Sequence, residues 1–249
     1  MAYTNSSLVS YTKLSPNHSG QRTHSIDRIT PHCVVGQCSV ETLGSIFLPA
    51  SRQASCNYGI GADGRVGMYV EEKNRSWCSS SNANDQRAVT IECASDTTAP
   101  YAFKDVVYQK LITLCIDICK RNGKTKLLWL GDKDKTLNYS PAADEMVLTV
   151  HRWFANKSCP GDWMYARMGD LASKVTAALS GTVTTQKQLY RVRKTWSDSK
   201  SQKGAYKILA NAKACADKNP GYSVFDTDGN AVYTSKTDSA GVPGDTTFK

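Results

Sequence analysis

No stretch of this 249-residue chain approaches the ~18 consecutive apolar residues of a membrane span, so membrane-spanning helices are excluded. Acidic side chains are in short supply. Against 31 Lys and Arg stand 22 Asp and Glu, and the resulting net charge of +9 points to a polyanionic partner. Nucleic acid and the anionic polymers of a bacterial wall satisfy that charge equally. The first ten residues lack both a basic start and an apolar core segment, so no secretory leader is expected and the protein is expected to begin in the cytoplasm. Histidine is scarce at four residues, which makes each one worth placing. The nine cysteines are an odd number that cannot all pair, and in a cytoplasmic chain they are expected as thiols.

What is present is a globular composition, 40% hydrophobic and 21% charged, on a chain long enough for one sizeable domain and a small one. The first thirty residues read as an irregular arm. Order is expected from Ile29, where Ile29-Thr30-Pro31-His32-Cys33-Val34-Val35 looks like a core strand. A helix over 39–48 follows, with Ser39 as its cap. Two short apolar runs around Asp63-Gly64 predict a hairpin, residues 76–85 a polar loop, and 88–94 a strand that carries Glu92. Val107, Leu111, Leu114, Cys115 and Ile118 share one face of a helix expected to stop at Gly123. Residues 126–130 suggest a short strand, Ser140-Pro141-Ala142 a helix start, and 163–179 a helix. Alternating strands and helices mean an α/β fold with a mixed central β-sheet flanked by helices.

Residues 180–186 have linker composition, and the 63 residues from Lys187 onward carry 11 Lys or Arg against 6 Asp. Their pattern predicts a small β-α-β-β module. The expected organisation is a catalytic domain over 1–178, a linker over 179–188, a wall-binding module over 189–236 and a disordered tail over 237–249.

His18 and His24 lie in the arm, where polar residues need no special account. His32 sits inside an apolar strand, where a lone histidine is more often a hydrogen-bonded core residue than a ligand. His151 gains interest from its neighbours, Lys157 and Cys159, followed by Pro160-Gly161, a turn able to fold the cysteine back. Two imidazoles and a thiolate suit zinc, and a catalytic zinc uses three protein ligands with one position open. A distant His plus a His-x7-Cys pair is by itself a weak pattern.

In combination the motifs carry more. Thr30-Pro31-His32, then Asn57-Tyr58-Gly59-Ile60-Gly61-Ala62-Asp63-Gly64, then Val89-Thr90-Ile91-Glu92, then His151 with Lys157, Cys159, Pro160 and Gly161, run in the order seen in the type-2 zinc N-acetylmuramoyl-L-alanine amidases. This chain resembles that family, which includes amidase-type phage lysozymes and the peptidoglycan recognition proteins, over about residues 15–167. The resemblance implies that His32, His151 and Cys159 hold Zn2+, that Glu92 is general base and then acid, and that Lys157 stabilises the oxyanion. It implies cleavage of the amide between N-acetylmuramic acid and L-alanine. Many relatives have Tyr before the residue opening the hairpin strand, whereas Cys56 stands here, so Glu92 inherits more of the chemistry. Asn57, Trp77 and Asn84 are candidate substrate contacts. Cys33, Cys38, Cys115 and Cys119 are expected as small buried thiols, with no second metal.

The tail, with Tyr190-Arg191-Val192-Arg193-Lys194-Thr195-Trp196 and Gly221-Tyr222-Ser223-Val224-Phe225-Asp226, resembles the wall-binding ends of endolysins from phages or prophages of clostridia-like Gram-positive bacteria. The expected protein is thus an endolysin, held in the host cytoplasm until release and then acting on peptidoglycan and associated anionic polymers. No nucleic-acid partner is expected. A metal-free peptidoglycan receptor would keep the groove and lose the ligand set, and a nucleic-acid binder would rest on charge and aromatics alone.

Overall fold

The computed structural model describes residues 3–181, 189–227 and 229–235. Two compact units divide the chain, Met1–Thr182 and Val183–Lys249.

In the first unit the strands are β1 (Val9–Thr12), β2 (His18–Gln21), β3 (Arg28–Cys33), β4 (Tyr58–Ile60), β5 (Val66–Met68), β6 (Asn74–Ser76), β7 (Ala88–Cys93), β8 (Lys126–Leu128) and β9 (Glu145–Leu148). Its helices are α1 (Val40–Phe47), α2 (Asn82–Arg87), α3 (Asp105–Arg121), α4 (Lys133–Asn138), α5 (Asp162–Tyr165) and α6 (Met168–Leu179). Seven strands form one mixed sheet in the order β1-β5-β4-β7-β3-β9-β8, while β2 and β6 make a separate pair. β4, β7, β3, β9 and β8 run parallel to one another, and the hairpin partner β5 runs against β4.

Period-two alternation sorts the side chains of the central strands onto two unlike faces. Ile29, Cys33, Tyr58, Ile60, Val89, Ile91, Met146 and Leu148 join the apolar core with the buried stripes of α3 and α6. The alternate positions, Thr30, His32, Thr90, Glu92 and Thr149, point the other way and are polar. Three of them, Thr30, Thr90 and Thr149, are fully buried, so each needs a partner. Asn84 supplies two, donating to Thr30 Oγ1 at 3.0 Å and accepting from Thr149 Oγ1 at 3.0 Å. Asn57 Oδ1 accepts from Thr90 N at 3.1 Å and from the buried Arg22 at 2.9 Å, while its amide nitrogen donates to the Val70, Glu71 and Asn74 carbonyls.

The helix α1 packs on this second face through Leu43 and Phe47, with Tyr69 and Cys56. Ser39 caps it as expected, accepting from Thr42 N. Gly59 lets it approach: a Cβ there would stand 2.7 Å from the Tyr69 ring and 2.8 Å from Leu43. The Asp63-Gly64 hairpin and the core helix ending at Gly123 are also as the sequence reads them.

Elsewhere the structure corrects the reading. The arm is not irregular, because β1 lies parallel along β5 and β2 pairs with β6, partners that only tertiary contact supplies. The 76–85 loop ends in α2, capped by Ser81. No helix starts at Ser140, since Met146-Val147-Leu148 is drawn into the sheet beside β3 as buried β9. The 163–179 helix is two, α5 and α6.

The second unit is a four-stranded antiparallel sheet in the order β11-β10-β12-β13, from β10 (Tyr190–Arg193), β11 (Gly204–Tyr206), β12 (Ser223–Phe225) and β13 (Ala231–Thr234). One helix, α7 (Leu209–Asp217), buries Ala212 and Ala216 against Val192 and Val224. The expected β-α-β-β module lacks β11, two of whose residues, Ala205 and Tyr206, the sequence pattern reads as the start of the helix. The linker stretch 182–188 and the tail 237–249 lie outside the described residues.

Because Asn57 anchors a buried layer, Asn57→Ala should lower the unfolding free energy by about 1–3 kcal/mol for each partner left unsatisfied. Urea denaturation measures this, and parental stability would deny the side chain its structural role.

Candidate active site

Parallel register brings the chemistry together at the carboxyl ends of three strands. His32 and Glu92 are register partners on β3 and β7. Ile29 pairs with Leu148, and three residues further along each strand direction stand His32 and His151, the latter in a 3-10 turn over His151–Trp153. Cys159 returns to the same place because Arg152 N donates to its carbonyl at 3.1 Å. Gly161 tightens that return: its φ is +83°, and a Cβ there would stand 2.8 Å from the Pro100 carbonyl oxygen. Trp153 stacks on Trp129 at 5.0 Å between ring centres, which holds the turn from behind.

Cys159 Sγ lies 3.2 Å from His32 Nδ1, and Glu92 Oε1 lies 3.9 Å from the same nitrogen. The His32 and His151 rings meet edge to face at 5.1 Å. One ligand atom from each of His32, His151 and Cys159 can be chosen with all three within 4.8 Å of one another, a possible metal site. His32, Cys78 and Glu92 meet the same criterion, so the carboxylate borders the first set. Among the described residues, His32 Nε2 and Glu92 Oε2 are buried without a hydrogen-bond partner.

Burial governs the charges here. It pushes the His32 imidazole well below its usual range, helped by the charge of His151, and it lowers His151, helped by Lys157. It lifts the Cys159 thiol well above the usual range, and raises the Glu92 carboxyl to about 7 against the opposing charge of Arg52. The protein's own field therefore favours neutral donors, and a carboxyl near 7 can both accept and release a proton at neutral pH.

A cleft of about 720 Å³ opens over this cluster, lined among others by Arg52, Trp77, Glu92, His151, Lys157 and Cys159. Lys157 is exposed at its rim. Of the expected substrate contacts, only Trp77 reaches the cleft, its indole N–H donating to Ser19 Oγ at 2.6 Å. Asn57 and Asn84 do not, for both are fully buried in the polar layer and committed to the scaffold. Cys56 is also fully buried, and its thiol stays protonated. Sequence reasoning passed over Arg52, Cys78, whose Sγ is 3.9 Å from Glu92 Oε1, and Ser80, whose Oγ is 3.0 Å from His151 Nε2. Only the Trp77-Cys78-Ser79-Ser80 run beside the Glu92 strand hinted at the last two.

The family described as N-acetylmuramoyl-L-alanine amidase matches residues 12–162. No curated protein matches the chain. Solved structures similar to it include AmpD, at 19% identity over 69% of this chain and 99% of that one with a TM-score of 0.46. PlyL follows at 14% over 66% and 95%, TM-score 0.43. The Drosophila peptidoglycan recognition protein SA gives 14% over 63% and 89%, TM-score 0.43. The family match spans more than half of the chain and takes in His32, Glu92, His151 and Cys159, and on it the protein belongs to the N-acetylmuramoyl-L-alanine amidases, hydrolases of peptidoglycan.

Proposed function

We propose that the enzyme is zinc-dependent, that it cuts the amide between the lactyl group of N-acetylmuramic acid and L-alanine, and that its C-terminal unit carries it to the wall. The observation that carries this reading is the convergence of His32, His151 and Cys159 beside Glu92. The donors fit the metal: two ligands about 2.0–2.3 Å from one tetrahedral ion stand about 3.5 Å apart, close to the Cys159–His32 contact of 3.2 Å. Two nitrogens and a sulfur are zinc's preferred chemistry, and they leave one coordination position for the reaction. Zinc bound there supplies Lewis acidity toward the scissile carbonyl and lowers the pKa of water in the open position.

The chain's own residues do the rest. Glu92 takes the proton from the attacking water and delivers it to the nitrogen of the departing L-alanine, and burial around it keeps bulk water from competing for that proton. Lys157, at the rim, faces the negative charge that grows on the carbonyl oxygen. Arg52 and Trp77 bound the groove in which the sugar and peptide lie.

The second unit mixes cations with aromatic faces. Arg193 lies over Trp196 at 5.0 Å and Lys203 over Tyr222 at 5.5 Å, a surface suited to anionic wall polymers. Tethering there raises the concentration of the catalytic unit at an insoluble substrate. The motifs of this unit support reading the enzyme as a phage or prophage endolysin of a clostridia-like host, one that accumulates in the host cytoplasm before it reaches the wall. None of the nine cysteines is joined in a disulfide among the described residues.

One zinc per chain should copurify, and His32→Ala, His151→Ala and Cys159→Ser should each lose both metal and wall cleavage. Full activity of any of them after chelation overturns the ligand set. Products should carry new L-alanine amino ends; new reducing sugar ends would mean a glycosidase.

Glu92→Gln should keep the zinc and lower turnover by about two to four powers of ten, with Lys157→Ala showing a smaller loss. A parental rate for Glu92→Gln would assign the proton transfer to another group.

Sedimentation of the full chain with purified walls should weaken as salt rises and then level off, since salt screens exposed charge more than aromatic contact. Charge reversal at Arg193 and Lys203 together should remove the salt-sensitive part. Unchanged sedimentation in that variant would take targeting away from the second unit.

A further inference from the structure

A metal-binding histidine normally gives its other ring N–H to a fixed partner, which sets the tautomer and the aim of the ring. The two histidines of this site differ in how they are held. His32 is fixed by its strand, with Nδ1 turned toward Cys159 and Nε2 buried without a partner among the described residues. His151 stands on a short turn at the cleft and has Ser80 Oγ 3.0 Å from its Nε2.

Ser80 is held unusually. Its φ is +61°, the left-handed region that residues other than glycine seldom occupy, and such strain persists only where the surroundings over-determine it. The surroundings do so here. Cys78 N and Ser79 N both donate to the buried Asp85 carboxylate, at 2.9 and 3.1 Å, and Asn84 Nδ2 donates to Ser79 Oγ at 3.2 Å. On the far side Ser81 Oγ accepts from Asn84 N and caps α2. Asp85 is itself gripped from below, its carbonyl accepting from Nη1 of buried Arg22. The loop is thus pinned before and after Ser80, which lines the cleft beside His151.

We infer that Ser80 is a positioning residue of the metal centre, its hydroxyl accepting the Nε2–H of His151 so that Nδ1 is the nitrogen offered to the cation. This rests on the ligand set proposed above. Both histidines then ligate through Nδ1, His32 aimed by the sheet and His151 by the pinned loop. Arg22 and Asp85 thereby become part of the support for the site.

The test compares the parent with Ser80→Gly and Ser80→Ala. Glycine relaxes the left-handed backbone and removes the hydroxyl, so the metal-free Ser80→Gly protein should melt no lower than the parent. Its zinc affinity, measured by competition with a chromogenic chelator, should nevertheless fall by about 10- to 100-fold, the usual effect of losing an outer partner of a metal ligand. Ser80→Ala should lose affinity likewise. In the zinc-loaded parent, nitrogen-15 spectra of the histidine rings should show His151 protonated at Nε2. Parental zinc affinity in Ser80→Gly, or a proton on His151 Nδ1, would overturn the inference while leaving the ligand set standing. A loss of affinity matched by an equal loss of metal-free stability would assign Ser80 to the scaffold instead. If the parent itself binds no zinc, or if His151→Ala binds it as the parent does, the ligand set fails and the inference with it.

Discussion

The pairing of β9 alongside β3 is the constraint on which the site depends. With Ile29 opposite Leu148, each further step along the two parallel chains adds a matched pair, first Thr30 with Thr149, whose hydroxyls meet at 2.7 Å, and then the neighbourhood of His32 and His151. A slip of one residue would turn Met146 and Leu148 away from the apolar core and point Val147 into it. It would also move His151 off the line that brings it to His32. Hydrophobic burial on one face of the sheet therefore sets the geometry of the donor set on the other. The same logic joins Glu92 to His32 through the longer β3–β7 ladder.

That arrangement has a cost, which the polar layer offsets. A sheet with a buried polar face must satisfy every hydroxyl and amide on it, because an orphaned group in the interior forfeits the hydrogen bonds it had in water. Asn57, Asn84 and Arg22 do this work, with burial lowering the Arg22 guanidinium to about 10 as the measure of how dry the layer is. On this face two groups at the site, His32 Nε2 and Glu92 Oε2, remain without partners among the described residues. Binding chemistry and scaffold chemistry thus occupy one face, separated by whether the polar atoms are already satisfied.

This explains what the sequence could and could not reveal. Elements made by local pattern were legible: the capped helix α1, the Asp-Gly hairpin, the amphipathic α3 and the apolar runs of β3 and β7. Elements made by partners were not, since β1 has little apolar content of its own and β9 is only four residues long. The candidate site residues His32, Glu92, His151, Lys157 and Cys159 could be proposed from the sequence because each belongs to an ordered set of motifs, and the structure brings His32, Glu92, His151 and Cys159 together. Asn57 and Asn84 were misread as substrate contacts because a polar residue beside a motif carries no mark of which way it faces. Ser80 was hardly distinguishable for the same reason, one serine in a polar run, its significance lying in a backbone angle and in its 3.0 Å approach to His151 Nε2.

The electrostatic balance follows from the same burial. In the protein's own field His32 and His151 are held toward the neutral form and Cys159 toward the thiol, so the three side chains meet with little charge repulsion. A dication reverses the preference for the thiol alone, since imidazole ligates as the neutral ring while sulfur ligates as thiolate. In the proposed zinc site, Cys159 would give up its proton on binding and the neutral histidines would give up none. Glu92 and Cys159 both lie within 4 Å of His32 Nδ1, so the carboxyl borders the donor set. The carboxyl to which the proton transfer is assigned above thus stands beside the proposed ligands without being one of them.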